Sequence, residues 1–304
     1  MRTLITGAAG FTARHLAKLL LTNHKVSAED NEIYFTSLQK ENPDYCSNYI
    51  SCDLRQFEAV YSLIISTKPD QIYHLAGTFT NDFSSDYAAN VQSTKNILDA
   101  VLKVGINVKI LLVGSAAEYG AVDLADNPIS EDHPLRPVSI YGLTKVFQTQ
   151  LMEYYCRAYN LNIVMARTFN IFGPGMSNRL FVGRIQEQIK KYKRHEISKI
   201  TVGNLNNWRD YLPIEDVVNK YLVIMGFGTA GEIYNVGLGR SVKICDLLER
   251  LLNDAGLSKN IVEEQSIMER KQLDIVNIYA DMRKTHRLLE NHQNFRSQQV
   301  YQNN

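Results

Sequence analysis

The sequence predicts an α/β fold in which a doubly wound parallel sheet carries a smaller C-terminal lobe. The first half of the 304-residue chain alternates short apolar runs with amphipathic stretches, as strands and helices alternate in such sheets. The run Val108–Val113 is almost wholly apolar, which is typical of a strand that is buried on both faces. A turn with two glycines, Gly7–Gly10, follows the first apolar run directly. These observations together imply a parallel sheet with helices on both faces.

The predicted elements follow one another with little chain between them, and their hydrophobic periodicity assigns each one. Strands are predicted near residues 4–5, 25–29, 49–51, 71–75, 108–113 and 162–167, and helices near 11–21, 55–66, 90–104 and from 139 onward. After Thr168 the pattern changes. Gly173–Gly175 interrupts the regular elements, a basic helix follows that ends at Arg194, and a short strand is predicted near 200–202. A helix over Ile214–Gly226 is expected to return to the sheet.

This change of pattern suggests two parts. We expect residues 1–168 to form the sheet domain, with a returning segment at about 205–240. Residues 169–204 and 241–304 are expected to form a substrate-binding lobe at the carboxyl ends of the strands, where ligands bind in such sheets.

Composition and charge narrow the classes of protein. The formal net charge is +1, so no broad positive field is available to recruit nucleic acid or an anionic membrane. The four cysteines show neither CxxC spacing nor nearby histidine pairs, so we expect no disulfide framework and no metal site. No apolar run has the length of a membrane span, and a strand already begins at Arg2. We therefore expect a soluble cytoplasmic protein without a secretory leader.

The first functional candidate is the turn between the first strand and the first helix. Glycines let the backbone approach a pyrophosphate, and the start of a helix offers free N–H groups and a positive dipole end. A plain strand-to-helix turn would also use glycine, but the position inside a βαβ pattern favours dinucleotide binding. The expected cofactor-binding residues of this turn are Gly7, Ala9, Gly10, Phe11 and Thr12.

The ends of the next strands supply further candidate contacts. Asp30, at the end of the predicted second strand, would accept hydrogen bonds from both ribose hydroxyls of NAD and repel the extra phosphate of NADP. This favours NAD(H) as the cofactor, with NADP(H) as the alternative, and helix capping is the other role open to Asp30. Residues that follow the third and fourth strands are also expected beside the cofactor: Asp53, Leu54, Leu75, Ala76 and Gly77.

A catalytic constellation is predicted around the fifth strand and the helix after it. Tyr141 and Lys145 are four residues apart at the start of a predicted helix and therefore share one face. A lysine so placed lowers the pKa of the tyrosine by its charge, which suits proton exchange with a carbinol or ketone near neutral pH. The pair alone is also common on ordinary helix surfaces. Ser115, which ends the fifth strand and could hydrogen-bond the reacting oxygen, favours a catalytic role.

These motifs resemble the extended short-chain dehydrogenase/reductases, the NAD-dependent epimerase/dehydratase family, over nearly the whole chain. One departure is Ala13, where the family usually has a third glycine. The resemblance implies a Rossmann-type fold and places Asn90 beside the cofactor. It rests on the glycine turn, Ser115, Tyr141 and Lys145, and on similar strings at Ala89–Asn96, Arg167–Pro174, Arg209–Tyr211 and Tyr234–Val236.

The resemblance also implies a reaction. A hydride would pass between the nicotinamide ring and a carbon, usually C4, of a nucleotide-linked sugar. Tyr141 would exchange the hydroxyl proton, Lys145 would orient the ribose and tune Tyr141, and Ser115 would polarise the carbonyl. By the same resemblance we expect a homodimer that pairs through the two long helices near residues 86–104 and 139–159.

The strings around Ser115 bear on which reaction is catalysed. Nucleotide-sugar 4,6-dehydratases carry an acid two residues after the hydroxyl residue, where this chain has Ala117. Glu118 comes one residue late and would face the wrong way on an extended segment, which argues against dehydration. The strings Gly114–Gly120, Val202–Leu205 and Arg167–Gly175 are similar to GDP-4-keto-6-deoxy-mannose reductases.

Reduction of a 4-keto-6-deoxy sugar is therefore favoured. NAD-dependent 4-epimerisation is the alternative, since it would use the same catalytic residues. A relative that only senses the cofactor is disfavoured, because such proteins typically lack the pair that Tyr141 and Lys145 form.

The pyrophosphate of a nucleotide sugar would need cations and amides. Arginine can contact two phosphate oxygens at once, so Arg209 and Arg270 are candidates, with Arg179 as a further one. A solvated or structural ion pair is the alternative for each arginine. Asn170 is where the family usually places an amide contact, and with Ser115 it completes the expected substrate-binding set.

Overall fold

The computed structural model describes residues 1–24, 32–265 and 275–291. Its strands are β1 (Arg2–Thr6), β2 (Glu32–Ser37), β3 (Asn48–Ser51), β4 (Gln71–His74), β5 (Lys109–Ser115), β6 (Asn162–Thr168), β7 (Asn170–Phe172), β8 (Ile200–Val202), β9 (Trp208–Arg209), β10 (Tyr211–Pro213), β11 (Ile233–Val236), β12 (Val242–Lys243), β13 (Val262–Glu264) and β14 (Asn277–Ile278).

The helices alternate with these strands in the first half of the chain, as predicted. A π-helical turn, Tyr87–Gln92, joins two of them, and short 3₁₀ turns lie at Ala116–Glu118, Leu124–Asp126 and Lys259–Ile261. The helices are α1 (Phe11–His24), α2 (Phe57–Thr67), α3 (Phe83–Asp86), α4 (Ser93–Val104), α5 (Ile140–Tyr159), α6 (Phe181–Lys193), α7 (Ile214–Phe227) and α8 (Ile244–Asp254), with a further helix at 283–291.

The centre of the molecule is a seven-stranded parallel sheet in the order β11-β6-β5-β4-β1-β2-β3. Neighbouring residues of β1 point to opposite faces of it, as a pleated strand requires. Ile5 joins the apolar cluster beneath α1 and α7, whereas Leu4 joins the cluster beneath α2, α4 and α5. The sheet is therefore covered on both faces, which is the predicted Rossmann-type, doubly wound arrangement.

The second strand lies later in the chain than predicted. The predicted strand at 25–29 falls outside the described residues, and β2 pairs with β1 from Arg2↔Glu32 to Thr6↔Thr36. The strand consists of Glu-Ile-Tyr-Phe-Thr-Ser, a run rich in the β-branched and aromatic residues that strands favour. The carboxyl end of β2 is therefore Ser37, so the prediction that this end is Asp30 was wrong.

The chain after β6 builds a further, smaller apolar cluster in addition to the two on the faces of the central sheet. This cluster joins α6, α8 and the paired strands β8 and β13. Two other small sheets, β12-β9-β14 and β10-β7, come from the same part of the chain. Between these segments in sequence, α7 packs on α1, and β11 returns to the central sheet beside β6. No helix in the described ranges has the combination of length and apolar character that a bilayer crossing requires.

Candidate active site

The glycine turn after β1 packs directly against the chain that leaves β4. Gly7 has φ +68°, and a Cβ there would lie 2.8 Å from the backbone nitrogen of Ala76. The Gly10 N–H donates to the Gly7 carbonyl at 2.8 Å, and α1 begins at the next residue. Only glycine fits this conformation and this close approach, so the turn leaves its backbone open at a helix N-terminus. This cradle fits a pyrophosphate.

Ala13 does not disturb the turn. It is almost completely buried, and it belongs to the apolar cluster in which α1 packs on the sheet. Alanine adds one methyl group relative to the glycine that the family usually has here. The structure accommodates that methyl group in the core beneath α1.

The loop after β4 forms the floor of the same cleft. A Cβ at Gly77 would lie 2.8 Å from Asn90 Oδ1 and 3.7 Å from Lys145 Nζ, so glycine keeps this part of the cleft open. The buried Asn90 accepts from the Thr78 N–H at 2.9 Å and donates to the Thr78 carbonyl at 3.0 Å and to Thr144 Oγ1 at 3.0 Å. Asn90 therefore braces the loop against α5 while lying beside Gly77.

The other predicted cofactor contacts lie at the ends of their strands. Leu75 and Ala76 continue β4 and are half-buried. Asp53 forms an ion pair with Arg55 at 2.8 Å, which holds the pKa of its carboxyl below the usual range. Leu54 is buried, and its carbonyl accepts from Asn96 Nδ2 at 2.9 Å. Asp30 lies outside the described residues.

Sequence reasoning missed the loop that follows β2, because it placed that strand too early. A polar groove beside the glycine turn is lined by Ala9 together with Arg14, Gln39 and Tyr45 and their neighbours. The Tyr45 hydroxyl donates to the carbonyl of Ala8, and burial raises the pKa of this tyrosine to about 12. The apolar and aromatic run of β2 was the signal that could have located this loop.

The three predicted catalytic residues come together at the carboxyl end of β5. Ser139 caps the start of α5 by accepting from the Gly142 N–H at 3.0 Å, and this places Tyr141 and Lys145 in the first turns of the helix. The Ser115 hydroxyl lies close enough to the Tyr141 phenol to lower its pKa. Lys145 Nζ lies 5.8 Å from the centre of the Tyr141 ring.

A close approach of α5 to the chain after β5 makes this arrangement possible. A Cβ at Gly142 would lie 2.4 Å from the carbonyl oxygen of Ala117, so no larger residue fits between the helix and the 3₁₀ turn. Lys145 Nζ then reaches back to the sheet and donates to the carbonyl of Val113 at 2.9 Å. It also donates to Gln148 Oε1 at 3.0 Å.

The pKa shift of Tyr141 has the opposite direction to the predicted one. Burial raises the pKa of Tyr141 to about 12, and the nearby hydroxyl of Ser115 only partly opposes this rise. Burial lowers the pKa of Lys145 to about 8, against the pull of the carboxylates of Glu118 and Asp86. The expected lowering of the tyrosine pKa was wrong, and the site at neutral pH holds a phenol beside an ammonium group.

Glu118 faces away from the cleft, although its segment is a 3₁₀ turn and not the extended chain that was predicted. Its carboxylate is completely buried, accepts from the Ser115 N–H at 2.6 Å and from the Thr149 hydroxyl at 2.6 Å, and pairs with Arg167 at 3.0 Å. Breaking a buried pair of this kind by removing one partner typically costs about 3–5 kcal/mol. Glu118 therefore fixes the backbone of Ser115.

The predicted substrate contacts are more scattered. Asn170 is half-buried and donates to the carbonyl of Asp210 at 3.1 Å, two residues beyond the register pair Ser115↔Thr168. Arg209 lies on β9, where its guanidinium donates to the carbonyls of Trp208 at 2.8 Å and Ile275 at 2.5 Å. Arg179 is exposed in the loop before α6, and Arg270 lies outside the described residues.

Comparisons with known proteins agree with this geometry. The model of the NAD dependent epimerase/dehydratase family matches residues 3–237. GDP-6-deoxy-D-mannose reductase of Pseudomonas aeruginosa is 28% identical over 277 residues, which are 89% of this chain and 86% of that protein.

Two solved structures share the fold. RMD from Pseudomonas aeruginosa, complexed with NADPH, has a TM-score of 0.79 at 25% identity and covers 94% of this chain and 91% of its own. UDP-glucose 4-epimerase from Thermus thermophilus, complexed with NAD, has a TM-score of 0.81 at 23% identity and covers 94% and 92%. The family match, together with the glycine cradle and the residues around Lys145, shows that the chain belongs to the NAD-dependent epimerase/dehydratase family and is an NAD(P)-dependent enzyme.

Proposed function

We propose that the protein is an NAD(P)H-dependent 4-ketoreductase of a nucleotide-linked 4-keto-6-deoxy sugar. The observation that carries the proposal is the convergence of Tyr141 and Lys145 at the carboxyl end of β5, where Ser115 lies, beside the open position at Gly77. Reduction of a ketone needs a proton donor at the oxygen that gains charge. The similarity to a GDP-6-deoxy-D-mannose reductase supports the same reaction class.

Each residue of the site has a role in this reaction. The cradle of Gly7, Gly10 and the start of α1 would hold the dinucleotide, which when bound supplies the hydride. Ser115 holds the carbonyl oxygen by a hydrogen bond, and Tyr141 gives that oxygen its proton. Lys145 binds and orients the ribose through its ammonium group, which its pKa of about 8 keeps charged at neutral pH.

The rest of the cleft supplies the proposed substrate and cofactor contacts. Asn170 and Arg209 are the proposed contacts of the nucleotide pyrophosphate, with Arg179 as an exposed candidate nearer α6. Because β2 ends at Ser37 and is followed by Leu38 and Gln39, no acidic residue stands at the first two positions after that strand. The assay of the reaction therefore includes both NADH and NADPH.

The lack of an available acid next to Ser115 argues against 4,6-dehydration. Ala116 and Ala117 carry no acid, and the carboxylate of Glu118 is buried in its pair with Arg167. An elimination across C5 and C6 of the sugar needs a general acid and a general base from the protein. The positions that directly follow Ser115 supply neither.

The test is the oxidation of NADH and of NADPH with GDP-, dTDP- and UDP-linked 4-keto-6-deoxy sugars, followed by absorbance. We expect stoichiometric oxidation with one of the three nucleotides, which would also identify the base. If no sugar causes oxidation and NAD remains with the purified protein, the reductase proposal fails and 4-epimerisation takes its place.

Replacing Tyr141 by phenylalanine tests the proton donor. We expect Tyr141→Phe to bind the cofactor with unchanged affinity while turnover falls by roughly 10²–10⁴-fold, the usual contribution of a general acid. Tyr61→Phe, on α2, is the matched control and should keep full activity. Turnover of Tyr141→Phe within a few-fold of the wild type would rule out this role.

We also propose a homodimer that pairs through the long helices. Phe83 on α3 and Tyr87 on the π-helical turn are 47% and 40% exposed and stack on each other, and Tyr87 contacts Phe147 of α5. Exposed aromatic side chains in contact are typical of interface centres. The expected mass in dilute solution is that of two chains, and Phe83→Ser with Tyr87→Ser should reduce it to one. A single-chain mass for the wild type would exclude the dimer.

A further inference from the structure

We infer that Gln148 is the positioning residue of Lys145, and that it holds the lysine through a buried chain of hydrogen bonds that ends at Thr6. The inference rests on the proposed role of Lys145 in binding the cofactor. It concerns the buried residues behind the lysine, of which Thr6 also contacts the loop that packs on the cofactor cradle.

The chain of contacts crosses four elements of the sheet domain. Gln148 on α5 accepts from Lys145 Nζ at 3.0 Å and donates through Nε2 to Thr94 Oγ1 on α4 at 2.8 Å. Thr94 Oγ1 lies 3.0 Å from Nε2 of His74 on β4, and Nδ1 of His74 lies 2.8 Å from Thr6 Oγ1 on β1. All five side chains are buried, so the chain is shielded from water.

Donor and acceptor chemistry gives the chain one direction. An ammonium group can only donate, so Gln148 must present its oxygen to Lys145 and its nitrogen to Thr94. The Thr94 hydroxyl donates to the carbonyl of Asn90 at 2.7 Å, so its oxygen accepts from both Gln148 and His74. His74 therefore carries its proton on Nε2, and the Thr6 hydroxyl donates to its Nδ1.

The far end of the chain is closed as well. Thr6 Oγ1 accepts from the Ala76 N–H at 3.1 Å, in the loop that packs on Gly7. If the amide of Gln148 were flipped, its NH₂ group would point at the ammonium group of Lys145. Thr94 Oγ1 would then lose the hydrogen bond that it accepts from Gln148. A buried polar group left unpaired costs about 1–3 kcal/mol, so the orientation of Gln148 is fixed.

Lys145 lies among charged and titratable groups, but it donates its hydrogen bonds to neutral oxygens, one of which belongs to the amide of Gln148. The titratable groups around Nζ are Tyr141 of its own helix, His74 of β4, and the more distant carboxylates of Glu118 and Asp86, which act on it through their charge. Burial and the charge of Lys145 lower the pKa of His74 to about 3, so this histidine stays neutral at working pH. Among the described residues no carboxylate forms an ion pair with Nζ, and its partners there are the neutral oxygens of Val113 and Gln148.

The test is the pH dependence of cofactor binding to the whole enzyme without sugar, by titration calorimetry from about pH 7 to 10. Affinity should fall as pH rises through the pKa of Lys145, because binding uses the ammonium form. Gln148→Met removes a neutral acceptor, so the ammonium form is less favoured and the fall should move to lower pH by about one unit. Affinity would then be about tenfold below wild type at pH 9 and within threefold at pH 7.

The second variant has the opposite sign. Gln148→Glu places a negatively charged carboxylate next to Nζ and so favours the ammonium form. The fall in affinity should therefore move to higher pH by about one unit or more. Gln150→Glu, at an exposed position on the same helix, should leave the profile unchanged. Equal losses of affinity at every pH, or unchanged profiles in both Gln148 variants, would overturn the inference. If Gln148→Met does not fold, the direction of the shift in Gln148→Glu decides it.

These results are independent of the sugar reaction. No sugar is present, so the profiles can shift as expected even if the oxidation assay rejects the ketoreductase. A failed sugar assay with shifted binding profiles would overturn the reaction only. Unshifted profiles with an active ketoreductase would overturn the role of Gln148 only.

Discussion

The site depends on one buried ammonium group. Taking a charged amine out of water costs several kcal/mol unless oxygen atoms replace the water. Lys145 finds such atoms in the carbonyl of Val113 at the end of β5 and in the amide of Gln148, one turn further along α5. The lysine therefore ties the position of α5 to the carboxyl end of β5. Since Tyr141 lies on the same face of that helix, the same bonds place the phenol beside Ser115.

Neighbouring contacts keep α5 where the lysine needs it. Gly142 lets the helix touch the turn at Ala117, and Thr149 donates to the buried carboxylate of Glu118. That carboxylate also holds the backbone of Ser115 and is neutralised by Arg167. An acid that could have served in elimination thus serves the structure, and the cleft retains a hydroxyl, a phenol and an ammonium group. This is the set that ketone reduction needs.

Local signals in the sequence predicted much of the fold and of the site. The glycine turn, the end of β5 at Ser115 and the helical spacing of Tyr141 and Lys145 are short-range patterns, and the structure has each of these elements where it was expected. The second strand was misplaced because two short candidate segments, residues 25–29 and Glu32–Ser37, follow α1, and the prediction chose the first. Asp30 was therefore expected at the end of β2, where the structure has Ser37.

The rest of the site depends on contacts between distant residues. Thr94 and Gln148 are 54 residues apart, and Thr6 and His74 are 68 apart, so no spacing rule connects them. The pKa of Tyr141 was expected to fall because the charge of Lys145 is visible in the sequence. The desolvation that raises it arises only when the helix packs against the sheet.

The most direct test of the central claim follows the hydride itself. Enzyme, 4-keto-6-deoxy nucleotide sugar and a reduced cofactor that carries two deuterium atoms at C4 of the nicotinamide ring are combined, and the sugar product is analysed by NMR and mass spectrometry. A ketoreductase should place one deuterium on sugar C4 for each cofactor consumed. An unchanged 4-keto sugar and unconsumed cofactor, while the same enzyme interconverts a UDP-hexose and its C4 epimer without added cofactor, would contradict the account.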